Sequence, residues 1–230
     1  TIWKYFRMES KDNGQTWSQP QPFKLRPEEN VALIHPAIKL NNGQWLAPAC
    51  FFEKRPIPLR APNAQLALAT SEQEAQAMKG PAPSTQKVDK FQSHLHGCSV
   101  FLASSAELSD LKEYGHIANR PMGLVENTCV QLNDGRIVML MRAELGGCLW
   151  RSESNDLGKT WTPARPTDIP NPSSLISLLR LPDGRIALIH NPVGKLGQFG
   201  SRSPLAIWLS DDEMQSWYLK ENIIATSGSP

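Results

Sequence analysis

The sequence predicts an all-β protein assembled from β-propeller blades, and three observations carry that prediction: an excess of turn residues and two internal repeats. Nineteen Pro and 15 Gly punctuate the 230 residues, as many short strands joined by turns require. The first repeat is an apolar segment, a tight turn and a second apolar segment: IKLNNGQWLAP around Gly43, VQLNDGRIVML around Gly135 and LRLPDGRIALI around Gly184. Asn-Gly and Asp-Gly between alternating apolar runs signal two-residue hairpins, because such turns need positive φ. The second repeat is SKDNGQTW at Ser10 to Trp17 and SNDLGKTW at Ser154 to Trp161, with SDDEMQSW at Ser210 to Trp217 keeping the Ser, Asp, hydroxyl and Trp positions. An Asp carboxylate can accept backbone N–H groups across a turn, Gly supplies the left-handed position, and Trp covers the hairpin.

Placed in chain order, the repeats give strand, Asp-Gly turn, strand, variable loop, strand, Ser-Asp-Gly-Trp turn and strand, which is one propeller blade per period of about 50 residues. Gly135 and Gly184 stand 49 residues apart and Gly43 and Gly135 stand 92 apart. The longer interval predicts an insertion at 53–95 between the second and third strands of one blade. Residues 1–30 then form the outer half of a blade, 31–120 a blade with its insertion, 121–170 a blade and 171–225 a blade, about three and a half in all. The centre of the insertion, Ala64 to Lys79, is rich in Ala, Gln, Glu and Met and predicts one helix. In the 31–120 blade the last turn is degenerate, ASSAELSDLKEY, with Tyr114 standing where Trp stands elsewhere.

Composition narrows the function. Forty per cent hydrophobic and 20% charged residues describe a globular chain, not a disordered one. A formal charge of +2 without a dense basic run argues against nucleic acid, and no segment approaches the 18 apolar residues of a membrane span. Cys50, Cys98, Cys129 and Cys148 are spaced as neither a zinc site nor a disulfide framework, so they read as thiols. No cofactor and no metal ligand set is expected.

The Ser-x-Asp-x-Gly-x-Thr-Trp turn resembles the Asp box of the sialidase (neuraminidase) superfamily, the bacterial neuraminidase repeat. The resemblance extends over nearly the whole chain and is strongest from Gly123 to Asp212. It implies a six-bladed β-propeller, which at about 50 residues a blade needs roughly 300 residues. The chain is therefore expected to be a fragment lacking the first blades and the C-terminal end. In VENTCVQLNDGRIVMLMR the family's strand-opening Glu is matched by Glu126 and its strand-ending Arg by Arg142; in SRSPLAIWLS a second family Arg is matched by Arg202. The resemblance implies that the two arginines grip a substrate carboxylate and that Glu126 activates a tyrosine nucleophile. Tyr5 and Tyr114 belong to outer strands and Tyr218 follows a Trp turn, so the family's Tyr is expected beyond Pro230. The first triad Arg and the Asp acid/base have no match.

Topology supports the same grouping. In an up-and-down antiparallel blade, the start of strand one, the end of strand two and the start of strand three share the end opposite the Asp boxes. Glu126, Arg142 and Arg202 hold those three places, and Asn191 and Cys50, each seven residues after a hairpin Gly like Arg142, are rim positions of the same kind. Asn191 is accordingly placed with the substrate-binding residues. Arg7, Arg151, Asp12 and Asp156 are expected to serve the repeat, and His35 and His190 to be packed or hydrogen-bonded. Planar guanidinium groups bind carboxylates bidentately, which suits a sugar with a carboxylate on its anomeric carbon.

The expected function is that of an exo-glycoside hydrolase releasing terminal sialic acid with retention, its Tyr nucleophile lying outside these residues. The alternative is a non-catalytic carbohydrate-binding Asp-box propeller, or a propeller glycosidase with another substrate. A sialylated glycan or related acidic sugar is the expected partner, open strand edges allow self-association, and the resemblance implies a secreted or periplasmic location.

Overall fold

The computed structural model describes residues 4–23, 25, 30–53, 95–119, 122–194 and 202–224. Among them every regular element is a β-strand, and the strands form four antiparallel sheets. The helix expected at Ala64 to Lys79 lies outside the described residues.

The first sheet pairs β1 (Tyr5–Arg7) with β2 (Gln21–Phe23). In the second, β3 (Val31–Ala32) and β4 (Ile38–Lys39) lie in succession along β5 (Trp45–Glu53), followed by β6 (Leu95–Ala103) and β7 (Lys112–Ala118). The third is the meander β8 (Leu124–Gln131), β9 (Ile137–Ala143), β10 (Gly147–Ser154) and β11 (Arg165–Asn171). The fourth repeats it with β12 (Ser177–Arg180), β13 (Ile186–His190), β14 (Leu205–Ser210) and β15 (Leu219–Ile224). Each Asn-Gly or Asp-Gly hairpin forms, but with a three-residue loop in place of the expected two-residue one: the glycine N–H donates to Leu40, Leu132 or Leu181 O in a turn whose left-handed residue is the glycine alone, with Gly43, Gly135 and Gly184 at φ 87°, 90° and 91°.

Strand β9 shows why the sheets stand side by side. Its run Ile137–Met141 is buried on both faces: Ile137, Met139 and Met141 join one cluster with Leu46, Val100 and Trp161, while Val138 and Leu140 join another with Ile176, Ile186 and Leu188. A continuous apolar run is what a strand covered on both sides requires.

The three Asp-box turns share one geometry. Asp156 accepts the Thr160 backbone N–H at 2.8 Å and its hydroxyl at 2.6 Å, and the Ser154 hydroxyl donates to it at 2.8 Å. Asp12 and Asp212 repeat this with Ser10 and Thr16 and with Ser210 and Ser216. Gly14 and Gly158 take the left-handed position; Met214 takes it in the third turn at φ 65°, a conformation that disfavours a side chain, and in exchange buries that side chain in the second cluster. The degenerate turn closes differently, with Asp110 accepting the Ser104 N–H at 3.0 Å.

Trp161 fills the seam between the second and third sheets. Its indole N–H donates to Gly158 O at 2.9 Å, and a Cβ placed on Gly115 of β7 would lie 2.2 Å from the ring. Only glycine admits the indole there. Trp161 is 3% exposed, whereas Trp17 in the first turn is 58% exposed.

Trp161→Ala is therefore expected to cost about 3–5 kcal/mol in chemical denaturation and Trp17→Ala less than about 1 kcal/mol, since only the first empties a packed site. Equal losses would contradict this account of the seam.

The Asp boxes also set an acid limit. Hydrogen bonds from Thr16 and Ser216, respectively, hold the Asp12 and Asp212 carboxyls at about 2, below the usual 3.8. Because the folded value is the lower one, this stability is present above pH 4 and is lost as pH falls towards 2. Asp12→Asn with Asp212→Asn should flatten the stability curve across that window, and an unchanged acid limb would argue against the assignment.

Candidate functional site

The site is built around a β-bulge in β8. Val125 pairs with Arg142 and Thr128 with Leu140, so Glu126 and Asn127 together face Met141. Glu126 adopts φ 52°, a left-handed conformation costly for a residue with a side chain. The bulge separates the two side chains. Asn127 is buried in the seam and donates to Ser99 O at 3.1 Å, while Glu126 turns to Arg142.

Arg142 Nη1 donates to Glu126 Oε2 at 2.6 Å, with side-chain exposures of 17% and 21%. Arg142 Nε is buried without a hydrogen-bond partner among the described residues. The pair is thus largely desolvated, and its guanidinium retains donor capacity, which is the condition under which an incoming carboxylate gains from bidentate recognition. Glu144, the other acid near Arg142 in sequence, is engaged elsewhere: His96 Nδ1 lies 2.7 Å from its carboxylate, and Gly123 leaves room for it, since a Cβ there would lie 2.3 Å from Glu144 Oε2.

Two residues of the second sheet reach the bulge. The Cys50 thiol contacts the Glu126 backbone, and burial pushes it up to about 11. His35, half-buried, has a ring contact to the same backbone, and burial lowers its pKa. Burial disfavours the charged form of both, and the ion pair of the cluster is Glu126 with Arg142. Cys50, Cys98, Cys129 and Cys148 are all free thiols.

The fourth sheet presents the same end differently. Asn191 follows β13 as Arg142 ends β9, but it is buried, and its amide donates to Pro204 O at 2.9 Å and to Arg202 O. Arg202 precedes β14 with its side chain exposed. No contact joins it to the Glu126–Arg142 pair among the described residues. His190 is a packed ring: it meets Trp208 edge-on at 4.5 Å, and burial lowers its pKa to about 4.

Sequence reasoning thus found the acid and the base of the central pair without seeing that they bond each other. It also missed the His96–Glu144 contact, whose sequence signal is Gly123 opposite Glu144. Tyr5 donates its hydroxyl to Val31 O from the outer sheet, and Arg7 and Arg151 pair with Glu9 and Glu153 beside the Asp boxes.

A family model described as a BNR repeat-like domain matches residues 1–225. No curated protein sequence matches the chain. Among solved structures, the Hadza microbial sialidase Hz136 superposes with a TM-score of 0.65 at 14% identity, over 97% of this chain and 37% of its own. A protein of unknown function from Dyadobacter fermentans gives 0.62 at 15% identity over 97% and 53%, and the NanB sialidase from Streptococcus pneumoniae 0.58 at 16% over 96% and 28%. The chain therefore spans between about a quarter and about half of the length of these structures, and the likeness is one of fold.

The loop that carries Arg202 depends on Asn191. Asn191→Ala should speed amide hydrogen exchange in residues 202–206 at least tenfold and lower global stability by about 1–2 kcal/mol, because two carbonyls lose their donor. Unchanged exchange would show that the loop is held by something else.

Proposed function

The chain belongs to the BNR repeat-like domain family, and from that premise we propose that it is part of a sialidase-like exo-glycoside hydrolase acting on terminal sialic acid. Its sheets are three and a half blades of a six-bladed propeller, divided at residues 1–30, 31–120, 121–170 and 171–225. Arg142 binds the sugar carboxylate, joined by Arg202 when the ring of blades is complete. Asn191, the expected substrate-binding residue, serves instead as a positioning residue that holds the backbone on which Arg202 is carried. Glu126 serves as the base for a tyrosine nucleophile that these residues do not supply; a neutral tyrosine suits a substrate whose own negative charge would repel a carboxylate nucleophile.

The observation that carries this reading is the 2.6 Å Arg142–Glu126 pair at a strained bulge, with Arg142 Nε still unpartnered. The bulge buries Asn127 in the seam and leaves Glu126, in a strained conformation, paired with Arg142 at the sheet end, an arrangement of the kind that ligand sites hold. The same geometry supports binding in the absence of the nucleophile, so the 230 residues are expected to recognise the sugar more readily than to cleave it.

Titration with 2-deoxy-2,3-didehydro-N-acetylneuraminic acid tests the assignment. Arg142→Ala should weaken binding at least a hundredfold, about 2.8 kcal/mol, while costing only about 1–2 kcal/mol of stability. Glu126→Gln, which keeps an acceptor for Arg142, should bind within about threefold of the parent. Equal binding by the parent and Arg142→Ala would remove the carboxylate role; no binding by the parent would remove the sialoside reading.

A further inference from the structure

Beyond the carboxylate clamp, the repeat register puts two aliphatic residues of the adjoining sheets at the positions equivalent to Glu126. Glu126 stands nine residues before its hairpin glycine, Gly135; the residues nine before Gly43 and Gly184 are Ile34 and Leu175. They are 42% and 49% exposed, among the few large apolar side chains of the chain left open to solvent.

Both are tied to the position of Glu126. The ring of His35, next to Ile34, contacts the Glu126 backbone. Leu178, three residues beyond Leu175, donates its N–H to the Thr128 hydroxyl at 3.3 Å, two residues beyond Glu126. The Leu175 loop is held rigid. Ser174 N–H donates to Asn171 Oδ1 at 3.0 Å, Ser173 sits at φ 63°, and a Cβ on Gly194 would lie 2.6 Å from Asn171 O. Backbone strain and a buried Asn clamp thus present a leucine to solvent at the register position of Glu126, where burying it or replacing it by a polar residue would be the usual outcome.

We propose that Ile34 and Leu175 are aglycone-selecting residues, and that the site prefers a carboxylated sugar whose aglycone is apolar next to the anomeric carbon. This rests on Arg142 holding the carboxylate as described above. In a sugar carrying its carboxylate on the anomeric carbon, the substituent nearest the clamp is the aglycone, because both groups share that atom. A clamp flanked by aliphatic walls places those walls where the aglycone begins. Shielding an apolar group there removes surface from water and lowers the local dielectric around the Glu126–Arg142 pair.

The test compares the α-methyl and α-benzyl glycosides of N-acetylneuraminic acid, with binding followed by calorimetry and by the methyl resonances of Ile34 and Leu175. The benzyl glycoside should bind about tenfold more tightly, equivalent to about 1.4 kcal/mol. Ile34→Ser and Leu175→Ser should each reduce that ratio to below threefold, with thermal unfolding confirming that both variants fold. A parent ratio near one, or a ratio untouched by both substitutions, overturns the proposal while leaving the carboxylate reading intact. If neither glycoside binds, the sialoside reading fails and the proposal fails with it.

Discussion

The constraint on which the rest depends is that the third sheet must be covered on both faces by its neighbours. Strand β9 sends alternate residues into two separate clusters, so the third sheet has no face of its own to offer water. Trp161 makes the arrangement specific. Its indole occupies the space beside Gly115 that any side chain there would fill, and this fixes how the third sheet stands against the second. Polar links repeat the register at the hairpin end: Asn41 N–H donates to Gln131 Oε1 at 2.8 Å, and Asn133 N–H to Glu213 Oε2 at 2.9 Å, with Arg180 completing the second link through its 2.7 Å contact to Glu213. The hairpins and Trp turns lock one end, and the Glu126–Arg142 pair stands at the opposite one.

That division of labour explains what was legible in the sequence. Turns are local: a Ser, Asp, Gly and Trp at fixed spacing determine their own hydrogen bonds, so Asp12 and Asp156 could be assigned as turn residues from spacing alone. Strand order followed from the two repeats, whereas Glu126 and Arg142 were singled out by the family resemblance, with which their place in that order agrees. What spacing could not reveal depends on contacts across the fold. The bulge that parts Glu126 from Asn127 is set by the Asn127 bond to Ser99, 28 residues away, and the His96–Glu144 pair joins positions 48 apart. Asn191 matched Arg142 in register, yet its short amide side chain meets the adjoining loop rather than the open site.

The charged pair itself is better understood as a poised site than as a stabilising one. A partly buried ion pair gains little net free energy over apolar packing, because desolvation offsets the attraction. Its value lies in geometry: the guanidinium is held in place by Glu126, stripped of much of its water and left with an unmatched Nε donor. A guanidinium held in this way has the geometry that carboxylate recognition uses, which is why the proposed role rests on this pair. Cys50 and His35, whose charged forms burial disfavours, stand beside the bulge.

The most direct measurement of this account is a crystal structure of the chain with 2-deoxy-2,3-didehydro-N-acetylneuraminic acid bound. The account predicts the ligand carboxylate on the Arg142 guanidinium in two parallel hydrogen bonds, with the Arg142–Glu126 contact opened and the bulge unchanged. A ligand seated elsewhere, with the 2.6 Å pair intact, would contradict it.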